Sequence, residues 1–245
     1  MPPSIHLPPN NSQDEPNAPD RVIHWILRVG AAVCFIGHGA FGFIGKESWI
    51  EFFALVGIGR DWGYRLMPIV GATDILLGTL VLLRPTKILL VYMVLWALWT
   101  AALRPLVGLG VSEFWERAGN YGVPFALLMI SPGGWRSGPW FSAFGPMRLR
   151  PANVWALVTC LQVVTGLLLV GHGGYIIFNS KQELTHHWFA TGMFSSLSEA
   201  GRFTWPAGVL GVLLGGIIFF YPVCAPGLLA LFWEIITQMI YPHSG

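Results

Sequence analysis

From Arg21 onward the chain is a succession of seven apolar stretches, at 22–44, 64–83, 87–104, 112–131, 152–178, 202–221 and 225–242. Each is near the ~20 residues that a helix needs to cross ~30 Å of hydrocarbon. A transmembrane barrel would show alternating segments of roughly ten residues, which are absent. Charge content closes off a soluble alternative. Asp, Glu, Lys and Arg make up 11% of the 245 residues, against roughly 25% in an average soluble domain. So few charges cannot clothe a soluble surface. The net charge of +2 supplies no basic stripe for nucleic acid. Cys34, Cys160 and Cys224 lie far apart in apolar runs, with no CxxC pair or zinc spacing. The fold class expected is an all-α membrane protein of seven transmembrane helices.

Residues 1–20, rich in Pro and Asn, read as an extended arm that cannot order itself alone. Arg84-Pro85-Thr86 and the neighbourhood of Pro222 join spans two to three and six to seven as tight hairpins. Residues 46–62 read as a short amphipathic interfacial helix. Residues 132–151 read as an interfacial linker with Trp135, Trp140 and Phe141 at headgroup depth.

The chain also carries a diverged internal repeat. An offset of 134 matches Gly37-His38-Gly39 to Gly171-His172-Gly173 and Arg28 to Gln162. An offset of 137 then matches Arg65 to Arg202, Gly71 to Gly208, Gly78 to Gly215, Pro85 to Pro222 and Trp96 to Trp233. The first copy, 21–131, has four spans, and the second, 152–245, has three. Four spans between equivalents puts both copies the same way up.

On these residues the first copy resembles the DoxX-like family of small four-helix membrane proteins. The likeness rests on Arg28 through Gly37-His38-Gly39, on Gly71-Ala72-Thr73-Asp74, and on Arg104-Pro105 with the 113–122 segment. It extends weakly over 152–242. The resemblance implies a helical membrane fold, and it brings in the membrane subunit of a thiosulfate:quinone oxidoreductase as a functional relative. Gly211 stands where the first copy has Asp74, a departure from the family pattern.

Ionisable groups inside spans are costly and mark candidate sites. At about 1.5 Å per residue, Arg28, Asp74, Gln162 and Glu234 fall in one intramembrane polar layer. We read it as a structural layer joining the repeats, with Arg28 and Asp74 as a buried pair, in preference to a proton or quinone site. The fourth span opens with Glu113, Glu116, Arg117, Asn120 and Tyr121, and Arg104 ends the third. Glu113 to Arg117 and Glu116 to Asn120 are at i,i+4 spacing. This cluster reads as a polar clamp closing the loop, with a quinone head-group site as the alternative. His38 and His172 sit between glycines, which serve close packing or, alternatively, access for haem or chlorophyll. His186-His187 reads as interfacial.

The Lys and Arg residues divide evenly between the two sides, so only the weaker acidic asymmetry places the N-terminus in the cytoplasm. The expected function is a non-catalytic accessory subunit of a larger energy-transducing complex in a bacterial-type inner membrane. Residues 1–20 would touch a partner subunit, the lipid bilayer would surround the spans, and nucleic acid is excluded. The alternative is a quinone-reactive subunit of an oxidoreductase.

Overall fold

A computed structural model describes residues 15–178, 182–190, 192 and 194–221. Its helices are α1 (Ala18–Ile44), α2 (Trp49–Leu55), α3 (Arg60–Leu83), α4 (Lys87–Leu106), α5 (Val111–Glu116), α6 (Ala118–Met129), α7 (Pro151–Phe178), α8 (Gln182–Ala190) and α9 (Leu197–Phe220). Among the described residues α1, α3, α4, α7 and α9 are long and apolar enough to cross a membrane. Trp25, Trp62, Trp155, Trp205 and Phe220 stand on the outer surface, as lipid-facing side chains do and soluble surfaces rarely allow.

Three expectations change. The first helix begins inside the supposed arm, because Asn17 and Asp20 form a capping box: Asp20 N–H donates to Asn17 Oδ1 at 2.9 Å and Asn17 N–H to Asp20 Oδ2 at 3.0 Å. The expected fourth span is not one helix. It breaks at Arg117, whose N–H reaches back only three residues, to Phe114 O, while Asn120 N–H does the same to Arg117 O. Such tightened bonds interrupt the α ladder. The amphipathic segment shortens to α2, since Arg60–Trp62 already belong to α3. The expected seventh span lies outside the described residues, and so does Glu234.

Helices α1 and α3 pack along glycines. A Cβ on Gly39 would stand 2.5 Å from Gly71 O, one on Gly42 2.5 Å from Met67 O, and one on Gly78 2.8 Å from Ala32 O. Only glycine permits that approach. Helices α7 and α9 meet in the same manner: Gly173 faces Gly208 O, and a Cβ on Gly215 would stand 2.9 Å from Gly166 O. Gly39 and Gly71 meet across the first seam, and their offset counterparts Gly173 and Gly208 meet across the second.

The two ends of the bundle are fixed by polar contacts. At one end the Lys87 ammonium donates to Pro132 O and Ser137 O, Phe144 N–H to Pro85 O, and Ile88 N–H to Trp140 O. This pins the α6–α7 linker over the α3–α4 turn. At the other, Arg104 of α4 bonds Glu113 of α5. Broken α5–α6 therefore runs the full height of α4. The α7 segment around Gly171 packs on the Trp115–Glu116 backbone, so both Gly-His-Gly segments lie at the α2 end. The core between them includes Ala31, Phe35, Leu90, Met93, Ala126 and Leu127.

Candidate functional site

Asp74 is buried in mid-span, where a lone carboxylate would be strongly disfavoured. Two neighbours share it. Oδ2 lies 2.9 Å from His38 Nδ1, and Oδ1 accepts the Trp96 indole N–H at 2.7 Å. The expected Arg28–Asp74 pair does not form. The glycine seam sets the register, and it puts Asp74 opposite His38 while Arg28 falls opposite Val81, where its Nε donates to Val81 O at 3.0 Å. The reason is local. In a continuous helix Val81 O would accept from residue 85, but Pro85 has no N–H. Gln162, expected as the counterpart of Arg28, donates to Ile218 O at 2.7 Å and Phe219 O at 2.8 Å. Residue 222, four beyond Ile218, is again proline.

The His38 ring stacks on Trp49 at 5.1 Å and forms one wall of a cavity of ≈ 150 Å³. A cavity of about that volume holds a single six-membered ring. Helix α2 roofs it with Trp49, Phe52 and Phe53, and Trp96, Trp99 and Thr100 of α4 form the side. Arg104, Arg117 and Asn120 line it as well. Trp99 and Val56 are also exposed on the outer surface, so the cavity meets the lipid-facing side of the bundle. A second, water-sized space of ≈ 10 Å³ lies among Cys34, His38, Asp74 and Asn120.

The arginines are held in place by Glu113. Arg104 Nη1 donates to Glu113 Oε2 at 2.8 Å, and Arg117 Nη2 is 3.9 Å from the same oxygen. The Arg104 guanidinium also lies over the Phe52 ring. Arg117 Nε is buried without a hydrogen-bond acceptor among the described residues. Asn120 Oδ1 accepts from Cys34 Sγ at 3.2 Å. Lys46, in the turn after α1, belongs to the same electrostatic group. Burial, reinforced by the Arg117 and Arg104 charges and opposed by Glu113 and Glu116, pushes its ammonium down to about 8.

Of the sequence candidates, His38, Arg104, Arg117 and Asn120 line the cavity and Glu113 stands behind them. Glu116 does not reach Asn120 as its spacing implied. Its Oε1 lies 3.5 Å from His172 Nδ1, both groups being buried. Tyr121 stacks on Phe114 outside the cavity. Three of the glycines beside the histidines are filled by neighbouring backbone, Gly39 and Gly173 by the α3 and α9 seams and Gly171 by α5, whereas a Cβ on Gly37 would meet nothing within 4 Å. Those three serve close packing. His186 is exposed. Sequence reasoning missed the roof residues of α2 and the role of Trp96. The one available signal was the aromatic run in an otherwise amphipathic loop.

The fold and its polar interior define a multi-pass helical membrane protein with an aromatic pocket that opens toward lipid. Comparisons with protein-family models, curated proteins and solved structures find no match.

Proposed function

We propose that this chain is a quinone-binding membrane subunit of an oxidoreductase assembly. The observation that carries the reading is a one-ring cavity with a carboxylate-bound histidine on one wall and Arg104, Arg117 and Asn120 also facing the ring site. A quinone head group is a flat six-membered ring with carbonyl oxygens at opposite edges. It would accept hydrogen bonds from donors among His38, Arg104, Arg117 and Asn120, between aromatic walls. Its apolar tail would leave past Val56 and Trp99 into the bilayer. Quinone reduction takes two electrons and two protons. His38, held by Asp74, is placed to deliver one proton at one oxygen, and water supplies the second proton at the other. The electrons come from a redox partner protein, so the chain is an accessory subunit in the sense that it receives them from elsewhere.

Equivalent glycine seams, and side chains at paired positions donating to carbonyls that proline leaves open, support an internal duplication and are compatible with DoxX-like kinship. We place the protein in a bacterial-type inner membrane with the N-terminus cytoplasmic.

Photolabelling tests the pocket. An azido-quinone with a short tail, added to detergent-solubilised protein, is expected to mark peptides containing Trp49–Phe53 or Trp96–Thr100. A His38→Ala/Asn120→Ala variant is expected to lose labelling by about tenfold, the effect of ~1.4 kcal/mol of lost hydrogen bonding. Labelling confined to other helices, or unchanged in the variant, overturns the proposal.

A further inference from the structure

Another cavity lies at the opposite end of the bundle, ≈ 710 Å³ in volume, between the α6–α7 linker and the first turns of α7. We propose that it binds an anionic phospholipid, with the lipid phosphate held by Arg148 and Arg150. Charge, shape, rigidity and depth all point to that occupant.

The charge is one-sided. Arg148 and Arg150 line the groove, and the segment 131–150 contains no Asp or Glu. Beneath the linker Lys87 is fully buried, and its ammonium is held by carbonyl oxygens. Among the described residues no carboxylate forms an ion pair with Lys87, Arg148 or Arg150. Ala152 and Asn153, in the first turn of α7, also line the groove, and that turn carries no acidic residue. The positive end of a 28-residue helix therefore adds to the same field.

The shape has two parts. The groove's lining combines the exposed Arg148 and Arg150 with the buried apolar Ile130 and Leu149. A phosphodiester with acyl chains has that same division, and a soluble anion does not. The groove is built before any ligand arrives, because Lys87, the Pro85–Phe144 bond and the Ile88–Trp140 bond fix the linker. Its depth follows from the helices it joins. It lies where α6 ends and α7 starts, with exposed Trp135 and Trp140 nearby, the headgroup level that tryptophan favours. On the cytoplasmic side proposed above, this is the leaflet where anionic lipids attract basic residues.

The test uses the full chain in mild detergent. Phosphatidylglycerol, phosphatidylcholine and inorganic phosphate are added separately while thermal unfolding and lipid retention by native mass spectrometry are recorded. Phosphatidylglycerol is expected to raise Tm and remain bound, with at least tenfold weaker retention in Arg148→Gln/Arg150→Gln. Arg84→Gln removes an exposed charge from the same end outside the groove and is expected to bind like the unaltered chain. Equal effects of phosphatidylcholine overturn the proposal, as does an equal loss in Arg84→Gln. A shift reproduced by inorganic phosphate alone also overturns it, marking a free-anion site. The wild-type headgroup comparison decides the matter even should the double variant not fold.

Discussion

Arg28 and Gln162 differ in chemistry yet play the same part. Each closes a carbonyl that a proline four residues later leaves without an amide partner. The donor matters more than the charge here, because the acceptor is neutral backbone. An unsatisfied carbonyl at that depth costs ~1–3 kcal/mol. Arg28→Met should therefore destabilise the protein by about that much in detergent unfolding, whereas Arg28→Gln should recover most of the loss by reproducing the contact of Gln162. Equal losses in both variants would show that Arg28 acts through its position over the Trp25 ring instead. Asp74 is the contrasting case. Both of its oxygens are used, by His38 and Trp96, and that sharing is what makes the carboxylate tolerable at mid-span.

Between elements, the two glycines of Gly37-His38-Gly39 have different roles. A Cβ at position 37 meets nothing within 4 Å, whereas one at 39 meets the backbone of α3 at 2.5 Å. Gly37→Ala should be neutral or stabilise by up to about 1 kcal/mol through helix propensity. Gly39→Ala should destabilise by about 1–3 kcal/mol, the range for overpacking, and should disturb the His38–Asp74 contact one residue away. Thermal unfolding of the two single variants side by side distinguishes seam from surface. The broken α5–α6 pair belongs to this scale as well. The break faces the Gly171 contact and sets Arg117 and Asn120 beside the cavity, so an interruption of one helix serves the polar wall of the site.

For the whole molecule, the question of partnership falls on the N-terminal segment. Helix α1 starts at Ala18 with its own capping box, so residues 2–14 can be removed without taking any part of the helix. The sequence expectation that this Pro- and Asn-rich stretch contacts a partner subunit, its prolines reducing the entropy lost on binding, is open to a direct test. Purification through a C-terminal tag in gentle detergent should recover a larger complex from the full chain and less of it after deletion of 2–14. A solitary monomer from both would defeat the accessory-subunit reading while leaving the pocket itself testable.

Sequence alone determined the solvent this protein lives in. Twenty-residue apolar runs and scarce charge leave a chain no soluble option, because backbone amides in lipid must be satisfied within helices. It also marked the paired glycines of α1–α3 and α7–α9, since a residue without a side chain leaves a periodic trace wherever backbones touch. His38, Arg104, Arg117 and Asn120 were likewise visible as polar residues in apolar surroundings. Which groups they meet was not. Depth along a helix is legible from residue counts, but rotation and register are set by packing against a neighbour. Thus Asp74 went to His38 instead of Arg28, and Glu116 to His172 instead of Asn120. The fold of α2 over the cavity was hidden for the same reason. Its aromatic residues suit a membrane interface and a binding-site roof equally well, and only the contacts with α3 and α4 decide between them.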